Sequence, residues 1–296
     1  MKSKPNNKIL LIISCIYNNQ PLVQQCVEAV MKNTNTQDLE CYYVLVNNHP
    51  QDEHTLDYLK TSQILDFNRN IKTKLIDPGE NIGCHRGFNY GYLYAQNRLN
   101  LLPDYVVKLD DDTIVPHDWN LPMIKVLDAD PNLAYISSID QNAKLGSDFK
   151  IKKVEHYHLE IPQKYNVGFS CVMFPIRTIK QFGLLMNRKT LYGHEESEYY
   201  TRIKAAGLYG AYIQEMVAQH LGNEDRDIDY VAWKYWYGLM HATDQDLVGF
   251  KANRQELIKC WKHMQTRREL WWQEQAKKRL QELQGNWFKN LFLRKR

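Results

Sequence analysis

The sequence lacks several features that would assign it to common classes of protein. Its six cysteines are scattered with no Cys-x-x-Cys pair, which argues against a zinc knuckle and against a disulfide framework. No run of about 18 apolar residues occurs, so we expect no membrane-spanning helix. The apolar run at residues 9–13 is short for a signal peptide, and no small-residue cleavage site follows it. These absences favour buried thiols in a reducing compartment, and we predict a cytoplasmic protein.

A strong charge imbalance is also missing. The net charge is +4 over 296 residues, which tolerates anionic ligands or surfaces but does not indicate dedicated nucleic-acid binding. A chain of this length holds one large domain or two small ones, and its 44% hydrophobic content is ample for a core. Aromatic residues make up 12% of the chain. Such side chains can stack on sugars or bases, although most of them serve as core.

The common glycine-rich nucleotide motifs are absent as well. Gly83, Gly87 and Gly91 recur every four residues, but no Gly-Lys-Ser/Thr follows them, and their spacing differs from that of a dinucleotide-binding fingerprint. This period predicts that the three glycines lie along one face of a helix, where a backbone or a ligand can come close. Arg86, in the same segment, could hold a phosphate through its planar guanidinium group. The alternative is a glycine-notched helix that only packs on a sheet.

The most informative stretch is residues 105–113, where an apolar run leads into three consecutive aspartates. We predict a short buried strand with the aspartates at its C-terminal edge, stopped by Thr113 and Pro116. Adjacent carboxylates repel one another, so Asp110, Asp111 and Asp112 need a positive partner, and a divalent cation that also holds a phosphate is the usual one. Open α/β sheets bind ligands outside the carboxyl ends of their strands, where this cluster falls. A solvated acidic turn is the alternative.

Apolar periodicity predicts alternating strands and helices through the first part of the chain. The predicted strands cover residues 9–13, 42–46, 72–76 and 106–109, and the predicted helices follow Pro21 and cover residues 53–60. This rhythm indicates a parallel sheet with crossover helices. Further along, residues 211–218 read as a strand that ends at His220. The polar segment 140–164 is predicted to be a solvated connecting hairpin, with a flap that contacts a ligand as the alternative.

The order of these pieces is more specific than any one of them. Polar residues follow the strands in the order Tyr17-Asn18, Asn47-Asn48, Asn81-x-Gly83-x-x-Arg86 and Asp110-x-Asp112. Together they resemble the nucleotide-binding half of family 2 glycosyltransferases, which have the GT-A fold. Residues 168–174 resemble the buried acceptor-side strand of that family, and residues 192–202 resemble its acidic catalytic motif. The resemblance covers residues 8–222.

The resemblance implies an α/β protein of the GT-A fold, with a mostly parallel, Rossmann-like central sheet flanked by helices. Residues 1–222 would form the glycosyltransferase domain. Its nucleotide-sugar-binding half would cover residues 8–116, and its acceptor and catalytic half residues 117–222. Residues 223–296 would form a C-terminal loop and helical extension.

The resemblance also implies a metal-dependent, inverting hexosyltransferase. It would move a sugar from a nucleotide-sugar donor, for which we expect a UDP-sugar, to a hydroxyl of a glycan or lipid-linked acceptor in cell-surface polysaccharide or lipopolysaccharide synthesis. Two alternatives stay open. One is an inactive glycosyltransferase-like domain that binds a nucleotide or a glycan. The other is a sugar-phosphate nucleotidyltransferase, which is disfavoured because no Gly-rich phosphate loop bearing Arg and Lys follows the first strand.

The resemblance assigns roles to individual residues. The implied nucleotide-sugar-binding residues are Tyr17, Asn18, Asn47, Asn48, Asn81, Gly83, Arg86, Asp110 and Asp111. Asp112 and His220 would hold Mn²⁺ or Mg²⁺, and of these two ions Mn²⁺ accepts imidazole more readily. Glu196 would be the catalytic base, and Glu195 would orient the acceptor.

The chain departs from the family pattern in two places. Its second strand ends in Asn47-Asn48 where the family usually has an acidic residue, so the base-reading contact has no carboxylate there, although an amide can still read uracil. Its acidic pair is Glu195-Glu196, whereas Glu-Asp or Asp-Asp is commoner. The longer side chain leaves open which of the two is the base.

The end of the chain has a pattern of its own. Residues 253–283 follow a helical pattern, and residues 287–296 form a short segment rich in aromatic and basic residues. Such a segment can lie on an anionic membrane surface, which would place the protein peripherally at the inner face of the membrane. Docking onto the catalytic domain and pairing in a dimer are the alternatives.

Overall fold

A computed structural model describes residues 7–17, 20–141, 148–163, 167–185 and 195–221, without the side chain of Glu195. In chain order the strands are β1 (Lys8–Ile16), β2 (Leu39–Asn47), β3 (Ile71–Ile76), β4 (Tyr105–Asp110), β5 (Thr113–Ile114), β6 (Leu133–Asp140), β7 (Phe149–Val154), β8 (Tyr157–Pro162), β9 (Cys171–Pro175) and β10 (Tyr209–His220). The helices are α1 (Gln20–Asn33), α2 (Glu53–Thr61), α3 (Cys84–Arg98), α4 (Asn120–Ala129), α5 (Ile176–Phe182) and α6 (Glu195–Ala205).

The first half of the sheet is parallel. Strands β3, β2, β1 and β4 are neighbours in that order, with Cys15 of β1 opposite Val46 on one side and Asp110 on the other. Residues 10–13 of β1 are fully buried, as expected for an apolar strand covered on both faces. Because these strands run the same way, the residues that follow them meet at one edge of the sheet. The predicted α/β fold with helices flanking a central sheet is confirmed.

The second half of the sheet adds antiparallel neighbours. Strand β9 lies between β4 and β6 and is antiparallel to both, whereas β10 runs parallel to β6. The predicted hairpin is confirmed as β7 and β8, and β8 pairs with β10, so the hairpin extends the sheet. Among the helices of the described residues, none is both long enough and apolar enough to cross a membrane. Residues 223–296 lie outside the described part of the chain, so the C-terminal extension and the domain boundaries stay predictions.

Two local predictions are wrong. Thr113 does not end the strand region, because Thr113 and Ile114 form β5, which pairs antiparallel with the last two residues of β10. Gly83 does not share a helix face with the other two glycines, because it is the residue before α3 and has a φ of 82°. Such a positive φ favours glycine, so Gly83 serves a turn and not helix packing.

The sheet separates two apolar layers, and β4 contributes alternately to each. Val107 and Leu109 belong to the layer that contains residues of α1 and α4, whereas Val106 belongs to the layer with residues of α3 and α6. Successive side chains of a strand point to opposite faces, so Lys108 lies on the same face as Val106. A lysine therefore enters an otherwise apolar layer two residues before Asp110.

Helix α3 approaches the sheet closely at Gly91. A methyl group added there would lie 2.7 Å from Cγ2 of Ile13 and 3.2 Å from Cγ2 of Val46. Both atoms belong to buried strand residues that have little room to move. The helix keeps this distance only because residue 91 has no side chain.

Replacing Gly91 by Ala should therefore destabilise the protein. Overpacking a core costs about 1 to 3 kcal/mol, which outweighs the gain of about 1 kcal/mol that alanine brings to a helix interior. Chemical denaturation should show a lower free energy of unfolding for G91A. The exposed Asn97 of the same helix gives a matched control, since N97A adds helix propensity without a clash. A G91A protein more stable than the wild type would contradict this account of the helix packing.

Candidate functional site

An acidic cluster lies at the carboxyl end of β4, and β10 brings a histidine to it. Strand β5 follows the aspartates, and its Thr113 lies directly opposite His220. The backbone N–H of Leu221 donates to the carbonyl of Asp112 at 2.8 Å. As a result, Nε2 of His220 lies 3.0 Å from Oδ1 of Asp112. One ligand atom each from Asp110, Asp112 and His220 can be chosen so that all three lie within 4.8 Å of one another.

These three residues fit a divalent cation. The Asp112 side chain is only 3% exposed, and a carboxylate so deeply buried needs a positive or hydrogen-bonding partner. Carboxylate oxygen together with imidazole suits Mn²⁺, whereas Mg²⁺ prefers oxygen ligands alone. On the other side of the ring, Nδ1 of His220 lies 3.9 Å from Oδ2 of Asp140. A carboxylate behind a histidine is a common way to orient the ring toward a metal.

Asp110 has a different environment from Asp112. The Nζ of Lys108 donates to Oδ1 of Asp110 at 2.6 Å and to the carbonyl of Phe169 at 3.0 Å. The Lys108 side chain is 6% exposed, whereas that of Asp110 is 35% exposed. One oxygen of Asp110 is thus held by a buried ammonium group.

Asp111 connects two loops of the edge. Its Oδ2 accepts a hydrogen bond from the backbone N–H of Tyr17 at 2.8 Å, which joins the end of β1 to the turn after β4. The Tyr17 ring lies 5.0 Å from the His49 ring, measured between centroids, and burial raises the pKa of its hydroxyl. Two rings from neighbouring strand ends therefore lie together at this edge. Asn18, the next predicted site residue, lies outside the described residues.

Asn47 is held by groups on both sides of its amide. Its Nδ2 donates to Oδ2 of Asp77 at 3.1 Å, and its Oδ1 accepts from the N–H of His49 at 3.1 Å. Asp77 follows β3, and its other oxygen accepts from the N–H of Gly79 at 2.7 Å. A carboxylate therefore lies beside Asn47 after all, although it comes from the neighbouring strand and not from β2 itself.

The turn before α3 is fixed by side-chain amides. Oδ1 of Asn81 accepts from the N–H of Gly83 at 2.9 Å, and Nδ2 of Asn48 donates to the carbonyl of Gly83 at 3.2 Å. Nε of Arg86 donates to the carbonyl of Ile82, so its guanidinium lies against the same turn. The structure thus brings Asn48, Asn81 and Gly83 together, and contact of Arg86 with a phosphate stays a prediction.

Glu196 lies on another element, in the first turn of α6, and is half-buried. A helix N-terminus favours the carboxylate form. Burial raises the pKa of Tyr212, and the negative charge of Glu196 adds to this effect. The Tyr212 hydroxyl accepts from the N–H of Gly168 at 2.7 Å. Glu195 begins the helix, but its side chain lies outside the described part of the chain.

One short segment links this region to the acidic cluster. Gly168 contacts Tyr212, the next carbonyl accepts from Lys108, and the carbonyl of Ser170 accepts from the N–H of Asp110 at 2.8 Å. Residues 168–170 therefore hold the end of β4 and the Tyr212 hydroxyl in a fixed relation. The negative charge of Glu196 also contributes to the raised pKa of the buried Tyr135, on β6 beside β10.

Three further residues contact the predicted site although no motif marks them. They are Lys108, Asp77 and Asp140. Period-two alternation could have indicated Lys108, because a charged residue on an otherwise apolar strand face, two positions before Asp110, shares its face with that carboxylate. Asp77 and Asp140 end strands at the carboxyl edge, but which strands neighbour one another is not readable from local pattern.

The sequence matches the family model of glycosyl transferase family 2 over residues 11–191, which is 181 of the 296 residues. The chain belongs to glycosyl transferase family 2. This confirms the resemblance carried by the asparagines, the glycine turn and the Asp-x-Asp pattern. No curated protein matches the family 2 chain.

Two solved structures are similar to this family 2 chain. One is the mannosyltransferase PcManGT from Pyrobaculum calidifontis in complex with GDP-Man and Mn²⁺, with a TM-score of 0.57 at 14% identity over 78% of this chain and 62% of that chain. The other is GalNAc-T7 with UDP, GalNAc and Mn²⁺, with a TM-score of 0.56 at 15% identity over 85% of this chain and 55% of that chain. The alignments thus cover less than two thirds of either relative. The likeness confirms the GT-A fold.

Replacing Asp112 by Asn should weaken Mn²⁺ binding. Loss of an outer-shell partner alone typically costs 10- to 100-fold in metal affinity, so loss of a ligand carboxylate should cost at least about tenfold. Titration of the purified protein with Mn²⁺, followed by calorimetry or by the paramagnetic signal of the free ion, measures the change. Asp57 is an exposed acid on α2 outside the cluster, so D57N is the matched control. Equal affinity of D112N and D57N for Mn²⁺ would rule out this site.

Proposed function

We propose that this chain is a metal-dependent glycosyltransferase that moves a sugar from a nucleotide sugar to an acceptor hydroxyl. The observation that supports this most is the convergence of Asp110, Asp112 and His220 at the carboxyl edge of the parallel strands, in a chain of glycosyl transferase family 2. Structures of the same fold contain Mn²⁺ together with GDP-Man or UDP. A donor site built around a cation and a diphosphate accounts for both facts.

In this proposal Asp112 and His220 hold the cation, and Asp140 orients the His220 ring. The cation, when bound, neutralises the negative charge that develops on the departing diphosphate. Asp110 accepts a hydrogen bond from the ribose. Direct coordination by Asp112 agrees with its burial, because a carboxylate with almost no water contact gains most from a metal.

The nucleobase lies beside Tyr17 and Asn47 in this proposal. Tyr17 offers an aromatic face, on which a base can stack. The carboxylate of Asp77 next to the Asn47 amide favours a base with an N–H donor on its Watson–Crick edge, as uracil has at N3 and guanine at N1. Adenine and cytosine present a bare ring nitrogen at the equivalent position, which a carboxylate repels. We therefore propose a UDP-sugar as the donor. A GDP-sugar is the second candidate, because guanine also has the N–H donor.

Glu196 is the proposed catalytic base. The acceptor oxygen forms a bond to the anomeric carbon while the bond from that carbon to the diphosphate oxygen breaks, and the hydroxyl proton passes to the Glu196 carboxylate. A single direct displacement inverts the anomeric configuration. Glu195, which precedes it at the start of α6, orients the acceptor hydroxyl.

The acceptor is proposed to be a glycan or a lipid-linked glycan of cell-surface polysaccharide or lipopolysaccharide synthesis, reached from the cytoplasm. This part of the proposal rests on the sequence resemblance and on the basic, aromatic segment at residues 287–296, which lies outside the described residues. That segment is the proposed peripheral contact with the membrane.

Thermal unfolding with a panel of nucleoside diphosphates should reveal the donor base. A ligand at about 100 times its dissociation constant stabilises the folded state by roughly 2.7 kcal/mol, which is readily measured. We expect UDP to raise the melting temperature in the presence of Mn²⁺ and to have little effect with EDTA. GDP, ADP and CDP are measured in parallel. If none of the four stabilises the protein with any divalent metal, the chain has no donor site and the proposal fails.

Replacing Glu196 by Gln should abolish turnover while donor binding remains. General-base catalysis typically contributes 10²- to 10⁴-fold, so sugar transfer or donor hydrolysis should fall by about that factor. Binding of the nucleotide and Mn²⁺ should be unchanged. The matched control is E198Q on the same helix, because Glu198 pairs with Arg202 at 2.7 Å and has no proposed catalytic role. Turnover by E196Q at the wild-type rate would exclude Glu196 as the base.

A further inference from the structure

We propose that Lys108 is a positioning residue of the donor site, which holds Oδ1 of Asp110 and leaves Oδ2 of that carboxylate for the nucleotide. This inference rests on the proposed function, because it concerns the same donor site. It divides the Asp-x-Asp pair into two unlike halves. Asp112 serves the metal, and Asp110, held by a lysine, serves as a hydrogen-bond acceptor.

The burial of Lys108 supports this role. Lysine is almost never fully buried unless it is paired, yet the Lys108 side chain is only 6% exposed. Its stem lies between Ile13 of β1 and Val172 of β9, which are its register partners on the two neighbouring strands. Both are buried residues of the apolar layer. The ammonium group therefore lies inside the protein, where Asp110 and the Phe169 carbonyl accept hydrogen bonds from it.

The hydrogen bonds of Lys108 tie it to Asp110. Lys108 Nζ lies 2.6 Å from Oδ1 of Asp110 and 3.0 Å from the carbonyl of Phe169. The carbonyl belongs to the segment whose Ser170 also accepts from the backbone N–H of Asp110. The main chain of Asp110 directly, and its side chain through Lys108, are thereby tied to one short segment of backbone. A carboxylate at the end of a strand would otherwise sample several rotamers.

The carboxylates of Asp110 and Asp112 have different surroundings. Asp112 faces an imidazole across 3.0 Å and is 3% exposed, whereas Asp110 faces an ammonium group and is 35% exposed. A carboxylate already neutralised by a lysine is a weaker ligand for a divalent cation but remains a strong hydrogen-bond acceptor. Its partial exposure gives a ligand hydroxyl access to it. The lysine thus decides which of the two carboxylates dominates metal binding.

Replacing Lys108 by Met tests this, because methionine keeps an unbranched stem and removes the charge. The Asp110 carboxylate left behind is one-third exposed, so water can solvate it and the fold should survive. Four proteins are compared: wild type, K108M, D110N and the double variant. The affinity for Mn²⁺ alone and the affinity for UDP at saturating Mn²⁺ are measured by calorimetry. K150M, which removes an exposed lysine from the edge strand β7, is the matched control for loss of one positive charge.

We expect K108M to bind UDP about tenfold more weakly, the order of one hydrogen bond to a charged group. Its affinity for Mn²⁺ alone should be unchanged or higher, because a cation has been removed from beside the metal site. In the D110N background the same substitution should cost nothing further, since Lys108 acts through Asp110. K150M should match the wild type in both measurements.

Three results would overturn the inference. Equal weakening of Mn²⁺ and UDP binding by K108M, together with a lower melting temperature of the ligand-free protein, would mean that Lys108 only supports the fold. If the losses of UDP affinity in K108M and D110N multiply in the double variant, the lysine acts independently of Asp110. If K108M binds UDP as tightly as the wild type does, Lys108 has no role in the donor site, and the proposed function is unaffected. Absence of nucleotide binding in the wild type would instead overturn the proposed function, and this inference with it.

Discussion

The pairing of β5 with the end of β10 is the contact on which the candidate site depends. Only two residues of β5 take part, yet they place Thr113 opposite His220 and bring the imidazole to 3.0 Å from the buried Asp112 carboxylate. Without this pairing the carboxylate would be buried with no cation or ring nitrogen beside it, at a cost of several kcal/mol. The site is therefore built by a long-range strand contact, and the acidic run supplies only one side of it.

Strand β10 can make this contact because it is long and irregular. Over its 12 residues it pairs first with β6 and β8 and then with β5, and its register to β6 shifts between Ile213 and Val217. A shift of this kind lets the end of a strand aim its side chains differently from its beginning. Tyr212, before the shift, is buried, and the negative charge of Glu196 adds to the effect of burial in raising its pKa. His220, after the shift, lies 3.0 Å from Asp112. One strand thus carries both the acceptor side and the metal side of the proposed reaction.

The features readable from sequence are those set by local physics. The apolar runs of β1 and β2 predict strands because both faces are covered, and the Asp-x-Asp pattern predicts a site because carboxylates repel and need compensation. The two local predictions that are wrong concern residues with partners on other strands. Thr113 forms a strand because β10 lies beside it, and the turn at Gly83 is held in part by the amide of Asn48, which ends a different strand. The contacts of Asp77 and Asp140 with the site also depend on which strands are neighbours, so no local pattern predicts them.

Three consecutive aspartates can occupy one turn because each has a different partner. Asp111 accepts a backbone N–H from the end of β1, Asp110 pairs with the ammonium of Lys108, and Asp112 faces the imidazole of His220. The repulsion among the carboxylates is thus offset from three directions by groups of unequal charge. Of these three partners, the imidazole of His220 is one that can itself ligate a metal. These unequal partners, and not the number of acids, distinguish the three carboxylates. The proposed division of the run into one metal ligand and hydrogen-bonding groups rests on that difference.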